Sequence, residues 1–366
     1  MRLPAASDHW QPGEQFSADM TLGRRAADWV ISDNSMPSRG ARVSGSTAEV
    51  LTSAAEVSQK VLEILYRYRR LDESGDFDDK ACIACFEARR SKIDAFVRNG
   101  DQIHFVIPAF PAKSPNRDKV LGALPDMGER LALHFLQSVC DYIGHFYSPG
   151  ARITICSDGH VFGDVVGVSD AAVTAYRESL TNMIERSNWA SLEMWGLDDA
   201  FGSLDYSLLR DLLDRNYSAT LDDLKAKIKD DPAARSLFNG IHRFMFEDLV
   251  GARGSEASKS QLRKESKESA YLTILRSNAW SRVVAERFPD AMRLSIHPQP
   301  PHSEKFGLQL LRTGDSWLTP WHGVVLDDGR NLSLVKRWQA EEVQATVVWR
   351  DGRPSHFVAP HLGINS

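Results

Sequence analysis

Three residues with acid, base or metal-binding side chains follow one short apolar run. The run covers residues 152–157, and Asp158, His160 and Asp164 follow it. A carboxylate that orients an imidazole would form a general base, and the same side chains would suit a divalent ion. Asx interactions that only stabilise a turn are the structural alternative. Gly159 and Gly163 predict a backbone that bends where β-carbons would clash.

A second group of polar residues lies in a proline-rich loop. Lys113, Asn116, Arg117 and Lys119 follow another apolar run. A guanidinium and two ammonium groups on a loop stiffened by proline can bind a phosphate through charge-assisted hydrogen bonds. A solvated basic loop is the alternative. The chain has no Gly-x-x-x-x-Gly-Lys-Ser/Thr or Gly-x-Gly-x-x-Gly motif, which disfavours the common nucleotide-binding folds.

A third group comes late in the chain. His297 ends an apolar run, and His302 and Lys305 follow it in a proline-rich segment. Further on, Trp321 and His322 stand side by side, and an aromatic ring beside an imidazole can wall a pocket for a flat substrate. Structural histidines and a buried core tryptophan are the alternatives.

The four cysteines do not form a disulfide framework. Cys82 and Cys85 make a Cys-x-x-Cys pair, but no second pair stands nearby to complete a zinc site, and the flanking sequence is typical of an amphipathic helix. We expect Cys82, Cys85, Cys140 and Cys156 to be buried structural thiols, with a redox or metal role for the pair as the alternative.

The elements that would position these groups alternate between strands and helices. Short apolar runs bounded by Gly and Pro predict buried strands at 102–107, 152–157, 189–195 and 292–296. Helical periodicity predicts helices at 47–70, 77–98, 127–146, 170–187 with Asp170 as N-cap, 205–217, from 231 onward, and 270–287. Asp-Gly turns predict hairpins at 324–335 and 345–354, and the Ser-, Lys- and Glu-rich stretch 251–269 predicts an exposed connector or lid.

This alternation predicts an α/β fold with a Rossmann-like, mostly parallel sheet flanked by helices. We expect a mobile arm at 1–46, an α/β core with helical insertions at 47–290, and a final core strand followed by a β-rich part at 291–366. The β-rich part would extend the sheet edge or form a small annex. If the strands are parallel neighbours, the polar groups converge at their carboxyl ends, where open α/β sheets bind ligands.

Composition narrows the range of partners. The chain has 366 residues and a formal net charge of -5, which gives no general attraction to nucleic acid or to anionic membranes. No apolar run approaches the length of a membrane span, and the first ten residues lack the apolar core of a signal peptide. The expected location is the cytoplasm.

Five motifs in order resemble the pyoverdine-chromophore and dityrosine biosynthesis proteins, the isonitrile synthases. They are Phe-Pro-Ala-Lys-Ser-Pro-Asn-Arg-Asp-Lys-Val-Leu at 110–121, Leu-Pro-Asp-Met-Gly-Glu at 124–129, Pro-Gly-Ala-Arg-Ile-Thr-Ile-Cys-Ser-Asp-Gly-His-Val-Phe-Gly-Asp at 149–164, Arg-Leu-Ser-Ile-His-Pro at 293–298 and Thr-Pro-Trp-His-Gly at 319–323. The resemblance runs from about residue 50 to the tail.

The resemblance implies an enzyme that needs no cofactor and no metal. Such an enzyme converts the α-amine of an aromatic amino acid to an isonitrile whose carbon comes from the ketone carbon of ribulose 5-phosphate. The amine would attack the ketone to give an imine, and proton removal, phosphate loss and carbon–carbon cleavage would follow. Tyrosine is favoured over tryptophan only as the commoner substrate of the family.

The resemblance also suggests roles for the basic loop. Lys113, Arg117 and Lys119 would hold the phosphate, with Asn116 beside them as a substrate contact. Lys113 has a second option, because its amine could form an imine with the ketone.

The other candidate residues take the remaining tasks. The polar residues at 158–164 would move protons or fix the sugar hydroxyls. Arg293 and His297 would bind the sugar phosphate or the amino-acid carboxylate, and Trp321 and His322 would line the amino-acid pocket. An iron and 2-oxoglutarate oxygenase is the expected pathway neighbour.

Two other functions compete with this one. Metal-dependent hydrolysis of a sugar phosphate would use Asp158, His160 and Asp164 as ligands. A non-catalytic sensor would bind the sugar phosphate through Lys113 and Arg117 and turn nothing over.

Overall fold

A computed structural model describes residues 53–70, 82–253, 257–299 and 302–360. The predicted N-terminal arm lies outside these residues, as does the predicted start of the second helix. The domain boundaries remain a prediction. Residues on both sides of position 290 contribute to the largest hydrophobic core, for example Leu131, Phe135, Trp321 and Leu334.

Helices precede, separate and follow the strands. Those of the first half are α1 (Ala54–Arg67), α2 (Ile83–Asn99), α3 (Met127–Gly144), α4 (Gly159–Val166) and α5 (Asp170–Arg186). Those of the second half are α6 (Leu197–Phe201), α7 (Tyr206–Tyr217), α8 (Leu221–Asp230), α9 (Pro232–Arg253), α10 (Lys259–Arg287) and α11 (Arg337–Glu342), with a 3-10 turn at Pro320–His322. None of the helices in the described ranges is both long and apolar enough to cross a bilayer.

Nine strands form two sheets in the described part of the chain. They are β1 (Ile103–Ile107), β2 (Ala151–Cys156), β3 (Leu192–Trp195), β4 (Met292–Ser295), β5 (Phe306–Gly307), β6 (Val324–Asp327), β7 (Leu332–Val335), β8 (Thr346–Arg350) and β9 (Arg353–Val358). The first sheet has the order β3-β2-β1-β4-β5 and all its pairs are parallel. The predicted parallel α/β sheet is therefore confirmed.

Both faces of this sheet are buried, as its apolar strands require. In β1, Phe105 belongs to the large core on one face, whereas Val106 belongs to a second core with Trp280 of α10 on the other. The sheet thus lies between two helical layers, and the carboxyl ends of β1, β2 and β4 lie along one edge.

The β-rich tail forms an annex. A separate sheet has the order β7-β6-β9-β8. Each of the two predicted hairpins is antiparallel, and β6 pairs with β9 in parallel to join them. The alternative, an extension of the first sheet, is wrong for these four strands.

Three local predictions need correction. Ser169, not Asp170, caps α5, because its hydroxyl accepts the Ala172 amide hydrogen. The predicted connector at 251–269 is mostly helical, since α9 continues to Arg253 and α10 begins at Lys259. The polar stretch after β2 is helix α4 rather than an open turn.

Candidate active site

The parallel order brings the loops after β1, β2 and β4 to one edge, as the sequence predicts. Two further elements reach the same place. The Ser114 amide donates to the Trp321 carbonyl at 2.9 Å, which fixes the 3-10 turn to the loop after β1. The Asn116 side chain donates to the Glu247 carbonyl at 3.3 Å, which fixes α9 there.

Five side chains from these elements and from the segment before the 3-10 turn form what we call the histidine cluster. They are Lys119, Phe244, His297, Trp317 and His322. The Lys119 ammonium lies 4.0 Å from the centre of the Phe244 ring, and that ring meets His322 edge to face at 4.4 Å. The rings of His297 and Trp317 lie 5.6 Å apart.

His322 is held as a neutral imidazole. Its Nδ1 lies 2.9 Å from the Thr319 hydroxyl, which fixes the ring orientation. Burial lowers the pKa of His322 well below its usual value, and the positive charges of Lys119 and Lys113 lower it further. An uncharged ring of this kind can accept a proton at neutral pH.

His297 has the same character at the end of β4. Its side chain is exposed, yet surrounding protein desolvates it and lowers its pKa to about 4, with the charges of Arg70 and Lys305 adding to the effect. We interpret this combination as a ring that lines a concave surface. Two neutral imidazoles therefore lie among cations, an arrangement suited to an anionic ligand.

The cations differ in how firmly they are held. Arg70 donates to the Ser316 and Leu318 carbonyls at 2.6 and 2.7 Å, and burial lowers its pKa to about 10. Lys119 lies 2.5 Å from Asp248 Oδ1. The Lys305 ammonium makes no ion pair or hydrogen bond with the residues that the structure describes, and burial lowers its pKa. Lys305 is therefore the cation most available to a ligand.

Lys113 occupies a buried network and not an open surface. Its ammonium lies 2.8 Å from Asp126 Oδ2, 2.9 Å from Glu129 Oε2 and 3.1 Å from the Pro320 carbonyl oxygen. Asp126 and Glu129 form the capping box of α3, and Tyr176 donates to the other oxygen of Glu129 at 3.0 Å. All three ammonium hydrogens have an acceptor. This geometry favours a structural role over the predicted phosphate contact or imine.

The charge balance of this network affects its pKa values. Burial raises the pKa of Glu129 to about 7, although Lys113 opposes that shift. The two carboxylates raise the pKa of Lys113 against its burial. The ammonium thus stays charged and joins the loop after β1 to the start of α3.

Asp158 lies at the end of β2, close to this network. Its Oδ1 is buried and has no hydrogen-bond partner in the described part of the chain. Burial raises the pKa of Asp158 to about 7, and the Asp158 charge contributes to the raised pKa of Tyr176. A carboxyl group that titrates near neutrality at a strand end is a candidate acid or base.

Gly159 allows the loop after β1 to approach Asp158. A β-carbon at this position would lie 2.0 Å from the Pro111 carbonyl oxygen, and the Ser157 hydroxyl donates to the Phe110 carbonyl at 3.1 Å. The prediction that a β-carbon would clash here is confirmed, but the cause is close packing and not a turn.

His160 and Asp164 have their partners on other helices. His160 Nε2 lies 3.0 Å from the Thr174 hydroxyl, and its ring stacks on Tyr206 at 3.6 Å. Asp164 forms an ion pair with Arg276 at 2.6 Å. The three residues therefore form neither the predicted base unit nor a set of metal ligands, because α4 turns the last two toward other helices.

The remaining predicted residues have mixed positions. Arg117 is exposed, although its neighbour Asn116 is buried. Arg293 donates to the Ser281 carbonyl at 2.9 Å on the α10 face of the sheet. Trp321 is 1% exposed and its ring centre lies 5.2 Å from that of Phe110, so it is a core residue behind His322.

Several groups at this edge have no role among the site residues predicted from the sequence. Arg70 follows α1 with no local signal of its destination, and Phe244 lies on a helix far from the motifs. Trp317 precedes the Thr-Pro-Trp-His-Gly motif by two residues, and Lys305, named above only as a neighbour of His297 and His302, lies eight residues after His297. Those two short separations were the available signal.

Comparisons with known proteins cover this region. The sequence model of the family described as pyoverdine/dityrosine biosynthesis protein matches residues 93–348, which include the whole histidine cluster. An L-tryptophan isonitrile synthase of Fischerella ambigua is 41% identical over 308 residues, covering 84% of this chain and 93% of that protein. An L-tyrosine isonitrile synthase of Pseudomonas aeruginosa is 43% identical over 273 residues, covering 74% and 83%.

The fold of this chain is also similar to a solved structure. The crystal structure of the PvcA protein of Pseudomonas aeruginosa has a TM-score of 0.78 with this chain at 39% sequence identity. The similarity covers 82% of this chain and 99% of that one.

Proposed function

Since the chain belongs to the pyoverdine/dityrosine biosynthesis protein family, we propose that it is an isonitrile synthase that acts on an aromatic L-amino acid. The carbon donor is ribulose 5-phosphate, and the product enters natural-product biosynthesis. The observation that carries the proposal is the group of two neutral imidazoles and three cations at the carboxyl edge of the sheet. Both substrates are anions at one end, so this edge suits them.

The phosphate binds at Lys305 and Lys119. Lys305 is half-buried with no ion pair among the described residues, so a phosphate gains a charge-assisted hydrogen bond without breaking an internal one. Lys119 already neutralises Asp248 and contributes more weakly. Arg70 donates hydrogen bonds to the backbone carbonyls of Ser316 and Leu318, and its charge adds to the positive potential at this edge.

Proton transfer uses His297, His322 and Asp158. Condensation of the amine with the ketone releases water and gives an imine, which must lose protons before carbon–carbon bonds break. The two imidazoles are neutral before ligand binding and can accept protons, and a bound phosphate raises their basicity by its charge. Asp158 titrates near pH 7 and can both accept and return a proton.

The amino-acid ring packs beside Phe244 and Trp317. Trp317 is 40% exposed and adjoins His297, so it offers an apolar face to an aromatic substrate. Relatives named for tryptophan and for tyrosine have similar identity to this chain. The preference for tyrosine stays a prediction, and both amino acids belong in the assay.

The test is incubation of the purified protein with each amino acid and ribulose 5-phosphate labelled at the ketone carbon. We expect an aromatic isonitrile that carries the label, with release of phosphate. An unlabelled product would overturn the carbon donor. Consumption of the sugar phosphate without the amino acid would indicate a hydrolase, and consumption of neither substrate would leave the sensor.

The hydrolase is the weaker alternative because His160 and Asp164 contact Thr174 and Arg276 instead of sharing a site with Asp158. The expected pathway partner, an iron and 2-oxoglutarate oxygenase, would consume the isonitrile. It is tested by adding such an enzyme to the same assay and following loss of the isonitrile. Persistence of the isonitrile would count against that partner and leave the synthase assignment intact.

A further inference from the structure

A cluster of thiols and an imidazole lies apart from the histidine cluster. Cys82, Cys85 and His302 place their ligand atoms within 4.8 Å of one another. His302 Nδ1 lies 3.4 Å from Cys85 Sγ and 3.8 Å from Cys82 Sγ. Both cysteines are free thiols.

These distances match the edges of a zinc tetrahedron. With Zn–S bonds of about 2.3 Å and Zn–N bonds of about 2.0 to 2.1 Å, a tetrahedral angle separates sulfur from nitrogen by about 3.6 Å. The two observed separations lie on either side of that value. A set of two thiolates and one imidazole also favours zinc over calcium or magnesium, which bind oxygen ligands.

The local backbone explains how the ligands meet. Cys82 is the N-cap of α2 and Cys85 lies one turn later, so both sulfurs share one side of the helix start, where the helix dipole favours thiolates. His302 adopts a φ of 63°, and its amide donates to Cys85 Sγ at 3.2 Å. This hydrogen bond orients the Cys85 sulfur, as hydrogen bonds to metal ligands commonly do.

We propose that Cys82, Cys85 and His302 bind one zinc ion, with water as the fourth ligand. The ion joins the start of α2 to the segment between β4 and β5. That segment also carries His297 and Lys305, so the ion restrains the backbone on which they lie. The ion takes no part in the chemistry proposed above, and the zinc proposal does not depend on that chemistry.

The first test measures metal content. Protein purified without chelator is dialysed and analysed by mass spectrometry of its metals, and we expect one zinc ion per chain. His302→Gln should weaken zinc binding at least about a hundredfold, since one of three protein ligands is lost. His145→Gln is the matched control at an exposed histidine outside the cluster, and it should keep its zinc.

A second measurement identifies the ligands directly. Cobalt added to the metal-free protein should give the visible bands of a tetrahedral site and a thiolate charge-transfer band. Cys85→Ser should lose part of the thiolate charge-transfer band, whereas Cys140→Ser should keep all of it. Because His302 is exposed, the His302→Gln variant should unfold at the same temperature as the metal-free wild type.

Hydrogen exchange gives the third measurement. Zinc should slow exchange at 296–305 in the wild type and leave it unchanged in His302→Gln. A zinc content that is equal in the wild type and His302→Gln would overturn the proposal. So would a Cys82–Cys85 disulfide in the freshly purified protein, since it would remove both thiolates.

Discussion

The Lys113 ammonium lies 2.9 Å from Glu129 Oε2, in a place where neither side chain is more than 1% exposed. The second carboxylate of the network, Asp126, lies 2.8 Å from the same nitrogen. Lys113 lies in a loop whose sequence suggests phosphate binding, yet it has a structural role, because the start of α3 places two carboxylates beside it.

Lys113→Met should therefore lower stability more than it changes substrate binding. Removal of the ammonium leaves two buried carboxylates unpaired, which costs about 3 to 5 kcal/mol in comparable buried pairs. Urea unfolding of the wild type and the variant measures this loss. Adding Glu129→Gln should recover part of it, and a stable Lys113→Met protein with only a raised KM would restore the phosphate role.

Lys305→Met should raise the KM for the sugar phosphate at least about tenfold with little change in the urea midpoint, because one charge-assisted hydrogen bond contributes about 1.5 to 3 kcal/mol. Steady-state kinetics with varied sugar phosphate measures the effect. Arg117→Met is the matched control at an exposed cation of the other loop, and its KM should change less than about twofold. The opposite ranking would favour the basic loop as the phosphate site.

Asp158→Asn should be more stable than the wild type at alkaline pH. The folded pKa of about 7 exceeds the usual value of an aspartate, so the folded state favours the protonated form. The contribution of the protonated Asp158 carboxyl to the free energy of unfolding is complete below about pH 4. It is lost as pH rises to about 7, at about 1.4 kcal/mol per pH unit. Thermal unfolding from pH 4 to 8 should show the advantage of the variant growing over this window and staying constant above it.

The same substitution tests the catalytic role of Asp158. Turnover should fall at least about a hundredfold, because the amide cannot exchange a proton. The limb of the kcat/KM profile near pH 7 should disappear with it. Asp118→Asn, at an exposed carboxylate, should keep both the profile and the wild-type stability, and an active Asp158→Asn enzyme would remove the residue from the mechanism.

His322→Gln should lower kcat about a hundredfold or more while the protein stays folded. Glutamine can keep a hydrogen bond to the Thr319 hydroxyl but cannot accept a proton from substrate. Single-turnover kinetics, which separates chemistry from product release, measures this effect. His134→Gln is a control at a histidine outside the cluster whose pKa burial also lowers, and equal losses in both variants would indicate a general structural effect.

Sequence patterns predicted the parallel sheet because each of its main strands is a short apolar run between breakers. Ile103–Ile107 and Ala151–Cys156 are both buried on two faces, which leaves one interpretation of such runs. The helix after β2 was missed because Gly159 and Gly163 suggest a turn. A β-carbon at Gly159 would meet the carbonyl of Pro111, which is distant in sequence, so no local pattern reveals this contact, and a β-carbon at Gly163 would meet the Val168 carbonyl oxygen.

The site was harder to predict than the sheet. The sequence predicted that polar residues converge at the strand ends, and Lys119 and His322 do lie against the same Phe244 ring near that edge. Whether a polar residue faces the ligand or an internal partner depends on tertiary contacts. Lys113 meets acids of α3, and Arg293 meets a helix on the far side of its strand, although both looked like ligand-binding cations in the sequence.

Gly159→Ala should lower stability by at least about 2 to 3 kcal/mol and abolish turnover. A methyl group there would lie 2.0 Å from the Pro111 carbonyl oxygen and 2.6 Å from a Val173 methyl, so the loop after β1 must move away from the end of β2. Gly144→Ala is the matched control, because a β-carbon there has no neighbour within 4 Å and replaces glycine in a helix. It should be neutral or stabilising in urea unfolding. If Gly159→Ala unfolds like the wild type, the loop has room to move, and the close approach at Asp158 is not required for the fold.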